Sequence, residues 1–327
     1  MPRVNNFLEA ASVVVFYLVG FLGGTHILGL VTIYQIFRYT PLWPLVIAYL
    51  SWTYLIEWKT PDKGGRHLLR NYARRFPIFK YIRDYYPITL VKTCELDPQR
   101  NYILGYHPHG IFTEGVSVAL NTDFCGFSEK FPGIIPHVAV HAGLVKAWLY
   151  RDVILSFGVV NASRESLEYI LTQKGAGHSV VLVVGGAAEI GETRPDSYVL
   201  TLKRRKGFIK VALETGSDLV PVFGFGQNNL FPIIGGDHNS RFSRFNRWLY
   251  SKTRLGCCCC WGFSWCMPKR SPISVVVGSP ITVEKVVSPP QETIDRLHSR
   301  YTEEVTELYN KYKKQYHPTD TSQLVIL

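Results

Sequence analysis

From Ala10 to Phe37 the chain carries no Lys, Arg, Asp or Glu, and after Arg38 the run from Tyr39 to Ile56 is again free of charge. A membrane-spanning helix needs roughly 20 apolar residues. The first run meets that length; the second is interrupted by Pro41 and Pro44. The pattern predicts an N-terminal membrane-embedded helical hairpin over residues 1–58, with one span plus an interfacial segment as the alternative. A cleaved signal peptide does not fit. Its apolar core is typically about 7–15 residues, and no small-residue cleavage site follows.

Beyond residue 58 the pattern shortens to alternating strands and helices. Tyr102–Gly105, Val153–Val160, Ser179–Val184, Asp218–Phe223 and Ile273–Val277 read as strands. The unbroken β-branched run at Ser179–Val184 predicts a strand covered on both faces. Ser163–Gln173 reads as a helix capped by Asn161 or Ser163, and Lys206–Thr215 as a helix closed by Gly216. Pro289 and Pro290 open a long terminal helix with an apolar stripe at Ile294, Leu297, Tyr301, Val305, Leu308 and Tyr312. This alternation predicts an α/β fold, a central mostly parallel sheet covered by helices, spanning residues 59–316. Residues 317–327 read as a loose tail.

Charge and cysteine content narrow the class. The 327 residues hold 36 Lys and Arg against 25 Asp and Glu, a net charge of +11, yet only 19% are charged and 46% are hydrophobic. That composition excludes intrinsic disorder. The scarcity of long apolar runs excludes a polytopic transporter. Lys59, Lys63, Arg66, Arg70, Arg74, Arg75, Lys80 and Arg83 follow the apolar segment. Such flanks stay cytosolic and are drawn to anionic headgroups. The spacing of Arg66, Arg70 and Arg74 equally fits a solvated helix face. Seven cysteines, four of them consecutive at Cys257–Cys260, make no disulfide framework and lack zinc-ribbon spacing. The run reads as a buried or bilayer-contacting strand, with palmitoylation as the alternative.

The chemistry concentrates at Tyr106-His-Pro-His-Gly110, at the end of a predicted strand. Ligands of open α/β sheets gather at the carboxyl ends of strands. Pro108 fixes the backbone between two imidazoles, and Gly110 permits a sharp turn. A neutral histidine there can take a proton from a hydroxyl. A metal site is the competing reading, in which His137 and His141 join His107 and His109. The segment from Gly186 to Thr193 has phosphate-loop spacing, but Glu192 occupies the lysine position and would repel phosphates, so a nucleotide triphosphatase is rejected. Glu189 is the acidic group of that turn, placed near the histidines across the sheet top.

In chain order, His109, the segment Gly158–Arg164, Glu189 and the Val220–Pro221 turn resemble the blocks of the glycerolipid acyltransferases, with Glu114 five places after His109 where that group has an Asp. The chain resembles more closely the type-2 diacylglycerol acyltransferases and their monoacylglycerol and wax-alcohol relatives. The passages that carry this are Arg100–Gly110, Phe131–Ile134, Gly185–Glu189 and the series Arg205–Phe208, Lys210, Ala212, Gly216, Leu219–Pro221 and Phe225–Gln227.

The resemblance implies transfer of an acyl chain from long-chain acyl-CoA to diacylglycerol. Monoacylglycerol or a fatty alcohol are the alternative acceptors. The expected roles are His109 as general base, His107 polarising the thioester or shaping the loop, and Glu189 orienting a histidine or holding the acceptor. Arg164, Lys203, Arg204, Arg205 and Lys206 are expected to meet the CoA phosphates. Backbone N–H groups near Gly110, Gly185 or Gly186 are expected to serve the oxyanion. No metal or cofactor is expected, and no nucleic-acid partner; membrane lipids are expected partners, and homo-oligomers are compatible. The implied location is the endoplasmic reticulum membrane, catalytic domain cytosolic, with lipid droplets as a second site. From other classes, a membrane metal-dependent hydrolase and a non-catalytic lipid-droplet scaffold stay open.

Overall fold

The β-branched runs assemble into a seven-stranded sheet in the computed structural model, which describes residues 2–23, 26–66, 68–231, 241, 244–245, 248, 267–316 and 323–327. In chain order its strands are β1 (Ile88–Lys92), β2 (Tyr102–His107), β3 (Ile135–Val140), β4 (Val160–Asn161), β5 (His178–Val183), β7 (Asp218–Phe225) and β8 (Ile273–Val277). A separate pair joins β6 (Val199–Leu200) to β9 (Val325–Ile326). The spatial order is β1-β8-β7-β2-β5-β3-β4. Five strands from β7 to β4 run parallel; β8 is antiparallel to β7 and parallel to β1.

The sheet divides the core in two. Along β2, Leu104 and Tyr106 join one buried cluster and Ile103 the other, as a period of two requires. The second cluster is closed by α6 (Arg164–Gln173), α8 (Gly207–Thr215) and α9 (Gln291–Tyr316), with the short α7 (Ala187–Ile190) between the first two in the chain. Ser163 caps α6, its Oγ accepting the Ser166 N–H at 3.2 Å. Gly216, at φ 71°, ends α8 in the left-handed region. On α9, Ile294, Tyr301, Val305 and Leu308 are buried, each core side chain contributing about 1.5–3 kcal/mol.

Three expectations are corrected and a fourth is left without support. Val153–Val160 is not a strand. Tyr150–Ser156 forms helix α5, and only Val160–Asn161 is extended. Arg151 and Leu155, one helical turn apart, are buried while Val153 faces out. Helical burial thus overrides a strand-like composition. Second, residues 323–327 are not a loose tail, because Leu327 N–H donates to Leu200 O and Val325 N–H to Tyr198 O.

Third, the basic run is neither a solvated face nor wholly a headgroup anchor. Arg70 and Arg74 are buried, Arg70 donating to Pro136 O and Arg74 pairing with Asp123 at 2.8 Å. Arg66 bridges Glu57 and Asp152. Fourth, the hairpin of spans is not seen. The N-terminal helices are α1 (Pro2–Gly23), α2 (His26–Tyr39) and α3 (Trp43–Ser51). Among the described residues no helix is long and apolar enough to cross a membrane. Helix α1 instead packs on α4 (Ile78–Tyr85), burying Val13 and setting Phe16 edge-on to Phe79. Helices α2 and α3 have 14 and 9 residues. At about 1.5 Å per residue each falls short of a roughly 30 Å hydrocarbon core. Both keep apolar side chains exposed, among them Leu30, Tyr34, Leu45 and Ile47. Cys257–Cys260 lie outside the described residues.

Candidate active site

The strand β2 ends in His107, and the turn after β5 carries Glu189. These strands are paired with Tyr106 opposite Val183, so the two turns rise side by side at the carboxyl edge of the sheet. The His107–Pro108 peptide is cis, and Gly110 adopts φ 68°. Only glycine takes that backbone freely, and a Cβ there would press on the Gln227 side chain.

Glu189 ties the two turns together. Its Oε2 accepts the backbone N–H of His109 at 2.8 Å, and its Oε1 accepts that of Thr201 at 2.8 Å. The carboxyl is buried, which pushes its pKa up to about 7 against the pull of those two N–H groups and of Arg205. The Arg205 Nη2 donates to Gly185 O at 3.0 Å. Gly185 lies so close to Glu189 that any Cβ would collide with the carboxyl group.

The two imidazoles have different surroundings. His107 is fully buried. Tyr301 on α9 donates its hydroxyl to Gly105 O at 3.2 Å and lies 3.0 Å from His107 Nε2. With that hydroxyl proton spent, His107 Nε2–H must be the donor to Tyr301. Burial pushes the His107 pKa down to about 3, so it stays neutral. His109 is only partly covered. Its Nδ1 lies 3.0 Å from Gly110 O, a pure acceptor, so Nδ1 carries the proton and Nε2 keeps its lone pair. Burial lowers the His109 pKa below its usual value. Of the two rings, His109 is the one that keeps a lone pair on a partly exposed imidazole, while His107 is buried against Tyr301.

The structure thus brings together His107, His109, Gly110, Gly185, Glu189 and Arg205. It separates the rest of the basic set. Arg164 pairs with Glu168 and Glu214, each at 2.5 Å, and Lys206 with Asp295 at 2.7 Å. Lys203 and Arg204 are exposed beside Arg205. The Gly186 N–H already donates to Val183 O at 3.2 Å, so it is not a spare oxyanion donor. Glu114 makes no hydrogen bond to His109; it binds Tyr17 and Gln227.

The metal alternative loses its partners. His137 is on β3, with its Nε2 2.9 Å from His178 Nδ1, and His141 Nδ1 accepts the Gly143 N–H at 3.1 Å. Among the described residues no group of three or more His, Cys, Asp or Glu could hold a metal ion. Tyr301 was hidden from sequence reasoning because it sits in phase with the apolar stripe of α9, where its ring, not its hydroxyl, is the expected contribution.

Comparison with known proteins gives one family. The family model for diacylglycerol acyltransferase matches residues 34–327. Diacylglycerol O-acyltransferase 2 of Xenopus tropicalis is 40% identical over 299 residues, 88% of this chain and 81% of that protein. Human 2-acylglycerol O-acyltransferase 3 is 41% identical, covering 84% and 82%. Mouse acyl-CoA wax alcohol acyltransferase 1 is 37% identical, covering 88% and 89%. Among solved structures, the 1-acyl-sn-glycerophosphate acyltransferase PlsC of Thermotoga maritima aligns over 98% of this chain with 14% identity and a TM-score of 0.44. A match of this extent, on a chain whose His-Pro-His-Gly turn is bound to its Gly-Gly-Ala-Ala-Glu turn, makes the protein a member of the diacylglycerol acyltransferase family.

Proposed function

We propose that this protein transfers an acyl chain from long-chain acyl-CoA to the free hydroxyl of diacylglycerol, forming triacylglycerol. The observation that carries the reading is the proton arrangement of His109: Nδ1–H is committed to Gly110 O, leaving Nε2 as the basic atom. Family membership supports the reaction class.

In the proposed reaction His109 Nε2 takes the acceptor's hydroxyl proton as its oxygen attacks the thioester carbonyl. The C–O bond forms, the carbon becomes tetrahedral, and its oxygen gains charge. Collapse breaks the C–S bond, and CoA leaves as the thiol with the proton that His109 carries. General base catalysis of this kind is typically worth about 10²–10⁴-fold. Lys203 and Arg204, exposed beside the site, are the cations proposed for the CoA phosphates. No step draws on a metal or a cofactor.

The exposed apolar side chains of α2, α3 and residues 52–58, with Leu55 82% exposed, form the proposed membrane-facing surface. It would place the domain against the endoplasmic reticulum membrane or a droplet, where acceptor and product dissolve. A second reading, with monoacylglycerol or a long-chain alcohol as acceptor, uses the same chemistry and is favoured by the similarity to the 2-acylglycerol and wax-alcohol enzymes.

An acceptor panel tests both. Membranes from a host without its own neutral-lipid acyltransferases receive labelled oleoyl-CoA with diacylglycerol, monoacylglycerol or hexadecanol. Label in triacylglycerol that is lost in His109→Ala is the expected result. Label in diacylglycerol or wax ester moves the acceptor, and activity surviving in His109→Ala overturns the base assignment.

A further inference from the structure

Glu114 is a buried carboxyl that the proposed reaction does not use. It stands five residues after His109, and its two oxygens are bonded to Tyr17 and Gln227. Gln227, in the turn after β7, is fully committed there. Its two amide hydrogens go to Phe112 O at 2.9 Å and to Glu114 Oε2 at 2.5 Å. Its carbonyl accepts Tyr106 Oη at 3.1 Å and the Gly115 N–H at 3.0 Å. An amide offers two donors and two acceptor positions, so nothing is left over. Gly110 is pressed against the same side chain.

The other oxygen of Glu114 accepts the hydroxyl of Tyr17, which comes from α1. Tyr86 Oη lies 2.6 Å from Tyr17 Oη and donates to it, since the Tyr17 proton is used on Glu114. The Tyr17 ring is held between Phe112 of the loop and Phe231, with ring centroids 4.9 and 5.6 Å away. On α1, Val13 and Tyr17 stand one turn apart facing inward, while Val15, Leu18 and Val19 face outward. The helix therefore meets its surroundings with one face and the His109 loop with the other.

We infer that Glu114 and Tyr17 are a positioning pair for the proposed reaction, through which α1 helps hold the loop that carries His109. A buried carboxyl costs free energy that an apolar side chain in the same place would not. What the carboxyl supplies here is direction: it accepts from two donors on different elements and so fixes where the loop lies between them. Neither residue touches the reacting atoms in this scheme. Both act through the placing of His109, and the inference rests on His109 being the base.

The test uses the full chain in membranes, with kcat and KM for oleoyl-CoA measured on Tyr17→Phe, Glu114→Gln, the double variant, Val13→Ala and His109→Ala. Tyr17→Phe and Glu114→Gln are each expected to lower kcat roughly tenfold or more, the scale of a slightly misplaced catalytic group, with KM unchanged. The double variant is expected to be no worse than the poorer single one, because both break one contact. Val13→Ala, which loosens the packing of α1 without touching the polar chain, is expected to keep kcat. Wild-type kcat in both single variants, or losses that multiply in the double, would overturn the inference. So would a kcat loss in Val13→Ala matching theirs, since the effect would then be packing. If Tyr17→Phe does not insert, Glu114→Gln and Glu114→Asp decide. An inactive His109→Ala beside fully active Tyr17 and Glu114 variants removes the inference alone; an active His109→Ala removes the base assignment on which it stands.

Discussion

Glu189 and His109 are joined through the backbone, not through the imidazole: the carboxylate accepts the His109 N–H at 2.8 Å across 80 positions of chain. The acid therefore sets the place of the proposed base without sharing its proton. In Glu189→Gln one side-chain oxygen becomes an N–H donor facing another N–H, either that of His109 or that of Thr201. Leaving such a buried group unpaired costs about 1–3 kcal/mol. We expect kcat to fall by roughly one to two orders of magnitude, with KM for acyl-CoA little changed, in steady-state assays of the purified variant. A loss confined to KM would instead make Glu189 a substrate ligand.

Gly185→Ala removes no functional group, yet its methyl would run into the Glu189 carboxyl. The carboxyl must then move, and His109 with it. Displacement of about 1 Å can cost about 10²-fold in rate. We expect a kcat loss of that order, read by acyl transfer at saturating substrate.

Tyr301→Phe leaves His107 Nε2–H without its partner and frees Gly105 O from the hydroxyl. The expected cost is about 1–3 kcal/mol of stability. At about 2.1 cal/mol/K of unfolding entropy per residue, that is a fall in Tm of roughly 1.5 °C per kcal/mol for a chain of this length. Differential scanning fluorimetry in detergent measures it. The effect on kcat should be smaller than that of any change at His109, because His107 is kept neutral and buried.

Burial holds both Glu114 and Glu189 near pKa 7, against an ordinary value of 4.5. Between those pH values the unfolded chain has lost protons that the folded chain keeps. Stability must then fall as pH rises through that window. Glu114→Gln removes one of the two groups, so its Tm should depend less steeply on pH from about 4.5 to 7 than that of the wild type. An unchanged slope would show that Glu114 is ionised throughout. For activity the sign is opposite. A base with a lowered pKa stays competent in mild acid, so the acid limb of kcat/KM is expected below pH 6.5, the usual imidazole value.

The sheet and the place of its candidate site were legible where local signals are strong. β-branched runs placed β5, β7 and β8, Ser163 and Gly216 marked helix ends, and the His-Pro-His-Gly turn stood out. Other features depend on contacts between distant residues. Arg70 and Arg74 look solvent-facing until Pro136 and Asp123 meet them. Val153–Val160 looks extended until Arg151 and Leu155 find a buried face. Glu114 occupies the acid position of a familiar spacing, but Tyr17 and Gln227 claim its oxygens. The division of the basic cluster, with Arg205 inward and Lys206 outward, follows from the Gly185 carbonyl and Asp295, which no spacing rule connects.

The reversal of β8 puts the starts of β8 and β1 at the edge that carries the candidate site. Phe225 lies opposite Ser274 and Ile273 opposite Ile88, so the chain leaves β7 and enters β8 and β1 at the edge where β2 delivers His107. Were those two strands turned to match the other five, the chain preceding β1 would arrive at the far edge, away from the loop that Tyr17 touches. The far edge is clasped by the two-pronged Arg100–Asp218 pair, at 2.5 and 2.6 Å, and by the Gly175–Gly177 turn. In the proposed reaction acceptor and thioester meet at the edge that carries His109 and Glu189. A fluorophore or surface tether at the Gly175 turn would leave that edge clear.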